Sequence, residues 1–297
     1  MIGMGAVGAL IGSQLTKSLG REKVQCIASG ERKTRYEKDG LYLNGEKQDY
    51  RFVEPADAAV TDLVIIATKN LQLEEAISSI KEAVGPKTVI MSLLNGIQSE
   101  KDIAAVYGKE HMLYSLVLSL NSIHEKNRIE YSNPGKVIFG EEDNSKSERI
   151  EGVCRLFDKA GIKYLVPSDM LLELWKKYLI NVTFNTLSAL CRSPYGGFTV
   201  PVMQELARTT GSEVIAVANA EGIALTPEML ENDITMMCSH DPHGKTSMLQ
   251  DMEAGRKSEN AWFCGTVVRL GAKHGIKTPV CGLLEKLVEG TESVRSM

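Results

Sequence analysis

The first half of the chain alternates short, wholly apolar runs with amphipathic stretches. Residues 62–68 and 88–94 are continuous apolar runs closed by polar residues, the pattern of strands buried on both faces of a parallel sheet. A shorter run at 23–28 reads the same way. Helical periodicity follows through Leu73, Ile77 and Ile80, and again from Ser99. Strands alternating with helices predict an α/β, Rossmann-type doubly wound sheet. From Met112 the pattern turns β-like, with strands predicted at 112–118, 128–131 and 137–139 and a turn at Asn133-Pro134-Gly135. A helix at 148–160 and a short strand at 162–166 close this half at Pro167.

Beyond Pro167 the apolar period becomes helical. Ser168 or Asp169 can cap a helix whose stripe is Leu171, Leu172, Leu174, Trp175, Leu179 and Ile180. Further helices are predicted at 201–221, 227–238, 247–273 (interrupted at Gly255) and 279–294. No Val- or Ile-rich alternating run appears. The pattern therefore predicts two domains, 1–167 with a mostly parallel sheet and 168–297 all-α.

Composition narrows the function classes. With 297 residues the length suits two domains, and the formal net charge of −4 offers no global attraction to nucleic acid or an anionic membrane. The six cysteines stand singly, with no C-x-x-C pair, which fits reduced thiols in a cytoplasmic protein and no metal site. No run approaches the roughly 18 apolar residues of a membrane span.

The first fifteen residues are small and apolar. No Lys or Arg precedes Lys17, and glycines at 3, 5, 8 and 12 would make a poor signal helix. Gly3-Met4-Gly5-Ala6-Val7-Gly8 instead carries the G-x-G-x-x-G spacing of a dinucleotide turn. There the first glycine makes the tight turn, the second admits a pyrophosphate to the backbone, and the third lets helix pack on strand. The free N–H groups and positive dipole end of the following helix would face the phosphates. Only Met1 and Ile2 precede Gly3, so the natural product is expected to carry ~4–6 further β-forming residues upstream.

The second strand ends Ala28-Ser29-Gly30, with no acid to bind the ribose hydroxyl of NAD, and Glu31, Arg32, Lys33 and Arg35 follow. Basic groups accommodate the extra phosphate of NADP, so NADP is expected over NAD. Lys69 and Asn95 fall just beyond the carboxyl ends of the two buried strands, the edge where such sheets bind ligands. As isolated residues they read equally well as a turn lysine and an Asn-Gly turn.

In the helical half Lys177, Asn181 and Asn185 are spaced i, i+4, i+8 along one drifting face of an otherwise apolar helix. A lysine there either snorkels to water or is functional; its neighbour Lys176 suits plain exposure better. Ser247 opens a predicted helix and Glu259 follows twelve residues later. Such residues are ordinarily a cap and a solvated acid, yet they can supply a hydroxyl donor and a carboxylate. His240-Asp241-Pro242-His243 is too thin a ligand set to predict a metal.

Taken together, the glycine turn, Thr68-Lys69-Asn70, Asn95-Gly96, Leu174-Trp175-Lys176-Lys177 with Asn181 and Asn185, and Ser247-Met248-Leu249-Gln250-Asp251 followed by Glu259 resemble ketopantoate reductase (2-dehydropantoate 2-reductase) over nearly the full length. The resemblance implies a Rossmann-type first domain and a second domain like the C-terminal part of 6-phosphogluconate dehydrogenase. It implies NADPH-dependent reduction of a small 2-oxo acid, ketopantoate to pantoate in pantothenate biosynthesis. It makes Lys177 the catalytic acid, supported by Glu259 near the nicotinamide. Gly3, Met4, Gly5, Ala6, Val7, Gly8, Arg32, Lys69, Asn95 and Glu259 would hold the cofactor. Asn95, Lys177, Asn181, Asn185 and Ser247 would hold the substrate, with the two domains closing on the ligand pair.

Three positions depart from the family pattern. Ser29 stands where many members carry arginine, so Arg32 or Lys33 must take the phosphate. Tyr195 stands where some members carry a substrate-side asparagine, and the loop His243-Gly244-Lys245-Thr246 lacks an asparagine that some members carry. The substrate therefore stays open between ketopantoate and another 2-oxo acid. A non-catalytic NADP(H)-binding sensor would need the turn without Lys177, Ser247 and Glu259 together. The expected ligands are small molecules, with no nucleic acid and no membrane, and dimers common among such enzymes make a homodimer the assembly to look for.

Overall fold

A computed structural model of the chain describes residues 1–295. It divides into two compact units, Met1–Leu94 with Gln98–Met170, and Asn95–Ile97 with the chain from Leu171 onward. Among the described residues no helix is long and apolar enough to cross a membrane.

The first unit contains strands β1 (Gln25–Ile27), β2 (Leu41–Leu43), β3 (Glu46–Gln48), β4 (Arg51–Val53), β5 (Leu63–Ile66), β6 (Val89–Ser92), β7 (Met112–Glu125), β8 (Arg128–Gly140) and β9 (Tyr164–Leu165). Its helices are α1 (Ala6–Leu19), α2 (Gly30–Asp39), α3 (Leu73–Ser79), α4 (Ser99–Tyr107) and α5 (Glu148–Ala160). Ile2 bridges in parallel to both Ile27 of β1 and Ile66 of β5. Backbone bonds from Ile2 N to Ile65 O (2.9 Å) and from Ala67 N to Ile2 O (2.8 Å) hold it there. With Ile2 as the first position, the parallel strands run β4, β1, Ile2, β5, β6, β7 across the sheet. That is the third-second-first-fourth-fifth-sixth order of dinucleotide-binding sheets, with its reversal point at Ile2.

Strand periodicity places successive side chains on opposite faces, and both faces are covered. Ile65 and Met91 join Ala9, Ile11 and Leu15 of α1 and Ile150, Val153 and Phe157 of α5. Val64, Ile66 and Ile90 join Leu73 and Ala76 of α3, Ile80, and Ile103 of α4. The strands β2, β3 and β4 are three residues each, too short to show an alternating or continuous apolar pattern, and Glu46-Lys47-Gln48 of β3 is polar throughout.

Asn133-Pro134-Gly135 is not a turn. These residues lie within β8, with Asn133 opposite Asn121 and Pro134 opposite Leu120. The chain reverses at Lys126-Asn127, where Lys126 has a φ of 53° and Glu125 faces Arg128. Pro134 is tolerated because β8 pairs with β2 only at 128–129 and with β9 only at 137–138, leaving that edge without a ladder between them. Ser119 and Gly135, opposite one another, have φ of 61° and 69°. The turn-like residues therefore mark a ladder irregularity.

The second unit is helical. It carries the remainder of α6 (Met170–Ile180), a π turn (Asn181–Asn185), α7 (Thr186–Cys191), α8 (Pro201–Ala220), α9 (Pro227–Ser239), α10 (Ser247–Glu253), α11 (Cys264–His274) and α12 (Pro279–Arg295). The helix predicted over 247–273 is two helices joined by an irregular segment. Gly255, at φ 70°, ends the first, and the Arg256 amide closes back on the Asp251 carbonyl at 2.9 Å.

Candidate active site

In the first unit the glycine turn follows Ile2 directly and enters α1. Gly3 has a φ of 88°, and a Cβ there would lie 2.5 Å from the backbone of Ala67 and Thr68. A Cβ on Gly8 would lie 1.9 Å from the Gly3 carbonyl oxygen, so the helix start packs against the turn itself. Gly5 differs, because a Cβ there meets nothing within 4 Å. Gly5 is also the N-cap of the 14-residue α1 and supplies no side-chain cap. Open space before uncapped N–H groups at a positive dipole end suits a pyrophosphate. Met4 is buried, while Ala6 and Val7 are half-buried on the first turn. The buried hydroxyl oxygen of Thr68, beside Gly3, has no hydrogen-bond partner. In sequence Thr68 carries no chemical signal of its own beyond its place between Ala67 and Lys69, just past β5.

Ser29 caps α2 without a side-chain bond, leaving the tip of β1 with no acid. Arg32 projects into solvent from the first turn of α2. Lys33 is drawn to Glu37 (3.6 Å) and Glu54 (3.5 Å). Lys69 is half-buried just past β5 and opens a short 3-10 turn.

In the second unit the polar candidates form two groups. The Asn95 side-chain amide donates to Glu259 Oε2 at 3.2 Å. Glu259 is only 8% exposed and lies just before the 3-10 turn Asn260–Trp262, outside any helix. The second group follows Lys177. Asn185 Nδ2 donates to Asn181 Oδ1 at 3.1 Å and to Ser247 Oγ at 3.5 Å. Both asparagines are buried, and Asn181 Nδ2 is a buried donor with no partner.

Asn181 and Asn185 are the first and last residues of the π turn, and residues four apart along a helical turn are near enough for their side-chain amides to bond. Half-buried Lys177 lies one turn upstream on α6, while Lys176 pairs with Glu173 at 2.8 Å. Thr246, not Ser247, caps α10 by accepting from the Leu249 amide at 3.2 Å. Ser247, freed from capping, is exposed as the first helical residue.

Two of the departing positions, Tyr195 and the 243–246 loop, also meet. The Tyr195 amide donates to Gly244 O at 2.9 Å, and its ring packs edge-on against His240 at 5.1 Å between centroids. Burial raises the Tyr195 phenol above its usual range, so it stays protonated. His240 is thus part of an aromatic contact. Among the described residues no His, Cys, Asp and Glu group of three or more can hold a metal ion.

Comparison with known proteins agrees with this architecture. Residues 1–144 match the family described as Ketopantoate reductase PanE/ApbA, and residues 169–292 match Ketopantoate reductase PanE/ApbA C terminal. The chain is 26% identical over 286 residues to the uncharacterized oxidoreductase YkpB of Bacillus subtilis, covering 94% of each protein. It is 26% identical over 299 residues to 2-dehydropantoate 2-reductase of Streptococcus pyogenes, covering 98% of this chain and 97% of that one. A solved ternary structure of D-mandelate dehydrogenase with NADH and anilino(oxo)acetate superimposes with a TM-score of 0.89 at 23% identity, covering 100% of this chain and 99% of that one. The two matches name one family and together span most of the chain, and the chain belongs to the ketopantoate reductase family of oxidoreductases.

Proposed function

We propose that the chain reduces ketopantoate to pantoate with NADPH, in the manner of a 2-dehydropantoate 2-reductase, and that Lys177 donates the proton. The observation that carries this reading is the half-buried lysine one turn before two buried asparagines, one of which also reaches Ser247. The uncapped start of α1, the open side of Gly5 and exposed Arg32 fit a dinucleotide with an extra phosphate. When bound, NADPH supplies the hydride that adds to C2 of the substrate.

The protein's own groups do the rest. As the C2–O double bond becomes a single bond, negative charge develops on the keto oxygen. The Lys177 ammonium stabilises that charge and then gives the oxygen its proton, completing the alcohol. Asn181 has an unspent donor for the substrate, and Asn185 and Ser247 share its polar surface. Such contacts hold the carbonyl in a reactive orientation. Glu259 fixes the Asn95 amide and hence the polar lining that Asn95 contributes.

A second reading, reduction of a different 2-oxo acid, draws on Tyr195 against His240 and the 240–244 loop, where aromatic bulk stands in place of the asparagine that some members carry. The dehydrogenase of similar fold is described with NADH and anilino(oxo)acetate. Following loss of reduced-nicotinamide absorbance with ketopantoate and with branched and aryl 2-oxo acids separates the readings. Highest kcat/KM with ketopantoate and NADPH supports the first, and preference for an aryl acid supports the second. Tight NADPH binding with no turnover of any of them overturns both.

A further inference from the structure

Glu259 stands in a segment without regular secondary structure, and a carboxylate in such a segment keeps its place only if the backbone around it is tied down. The ties are present. At the start, the Ser258 amide donates to Glu292 Oε1 of α12 at 2.8 Å. In the middle, Asn260 Nδ2 donates to the Glu285 carbonyl, also of α12, at 3.1 Å. At the end, the Tyr178 hydroxyl of α6 donates to the Phe263 carbonyl at 2.7 Å. The 3-10 bonds Trp262 N to Glu259 O (2.9 Å) and Phe263 N to Asn260 O (3.0 Å) transmit these ties to Glu259.

Tyr178 is suited to this task. It is 1% exposed, packs edge-on against Trp175 at 5.5 Å, and immediately follows Lys177. Its hydroxyl thus links the helix of the proposed acid to the segment of the proposed carboxylate. The Phe263 carbonyl already accepts from Thr266 N (3.1 Å) and Val267 N (3.3 Å), so α11 starts properly without the phenol. Glu292 is likewise not needed to begin α12, whose first amides at Val280 and Cys281 are met by Glu213 at 2.8 Å each.

We infer that Tyr178 and Glu292 are positioning residues, clamping the two ends of the 258–263 segment so that the Glu259 carboxylate stays on the Asn95 amide. The inference rests on the proposed function only for its effect on turnover, because the Glu259–Asn95 geometry can be read by itself. A small displacement of a positioned group costs rate steeply, so Tyr178→Phe and Glu292→Ala should each lower kcat about ten-fold with little change in KM for NADPH. Glu292→Gln keeps an acceptor for the Ser258 amide and should restore kcat to within about two-fold.

The deciding measurement is the Asn95 side-chain amide signal in protein labelled with nitrogen-15 asparagine and assigned by its loss in Asn95→Ala. The signal should shift in Tyr178→Phe and in Glu292→Ala, in the direction produced by Glu259→Ala, and return in Glu292→Gln. An Asn95 signal unmoved in both Tyr178→Phe and Glu292→Ala, with Glu259→Ala moving it, overturns the inference. If the signal moves as expected while Glu259→Ala leaves kcat unchanged, the clamp stands and the proposed role of Glu259 in turnover falls.

Discussion

The Asn95 amide donates to the Glu259 carboxylate at 3.2 Å across 164 positions of sequence, and Asn95–Ile97 packs with the helical unit although it is bracketed in sequence by the sheet unit. A loop that leaves β6 therefore contributes its asparagine to the same unit as Lys177. Chemistry and hydrogen-bond support should separate by mutation. Lys177→Ala should lower kcat about 100- to 10,000-fold with NADPH affinity unchanged, the range for losing a general acid. Glu259→Ala, which removes the carboxylate that accepts from the Asn95 amide, should cost less, about ten- to 100-fold. Steady-state kinetics with direct NADPH titration checks both, and unchanged turnover in Lys177→Ala removes it from the role.

Gly8 and Gly5 of the turn should fail in different ways. Gly8→Ala forces a methyl toward an oxygen 1.9 Å away, so it should lower Tm and cost about 1–3 kcal/mol or more. Gly5→Ala meets no protein atom within 4 Å and should keep the wild-type Tm. Its methyl fills the space offered to the pyrophosphate, so the Kd for NADPH should rise about ten-fold or more. Thermal melts beside NADPH titrations distinguish the two; equal Tm losses would contradict the assignment of Gly5 to the ligand side.

Cofactor choice should lie with Arg32. Lys33 is engaged by Glu37 and Glu54, whereas Arg32 is exposed. Removing a charge-assisted contact to the extra phosphate should raise KM for NADPH about ten-fold in Arg32→Ala and leave KM for NADH alone. Lys33→Ala should change either value by less than about two-fold. A larger effect at Lys33 would exchange their roles.

Asp233 on α9 supplies a pH dependence of stability. Burial raises its carboxyl to about 7, against the opposing pull of Lys176. In the unfolded chain the group titrates near the usual ~3.9. Between these values the folded chain holds a proton that the unfolded chain has released. The resulting stabilisation is fully present below about pH 4 and lost as the pH rises through about 7. Asp233→Asn should melt with the wild type near pH 4 and above it at pH 8. The same Tm difference at both pH values would show that Asp233 carries no such shift.

Much of this was legible in local pattern. The glycine turn, the buried strands β5 and β6 and the change of period after Pro167 announce themselves by residue type and spacing, whereas Lys177, Asn181, Asn185, Ser247 and Glu259 each had an ordinary structural reading and became candidates only through the combined resemblance to one family. The reading went astray where a local signal has two meanings. Asn133-Pro134-Gly135 has the composition of a turn, and only the missing neighbours along β8 let it stay in a strand. The predicted break at Gly255 was placed correctly, but the irregular segment beyond it and its ties to α12 leave no local mark.

By itself, then, the sequence determined which elements form and which residue types stand at their ends, because helix and strand periods and glycine conformation are properties of neighbouring residues. The tertiary structure decided which of those residues meet. It set the strand order that puts Ile2 between β1 and β5, and the ties from Tyr178 and Glu292 to the segment that carries Glu259. The Ile2 ladder and the ties from Tyr178 and Glu292 are hydrogen-bond partnerships between distant positions, chosen by burial and packing that no local window contains.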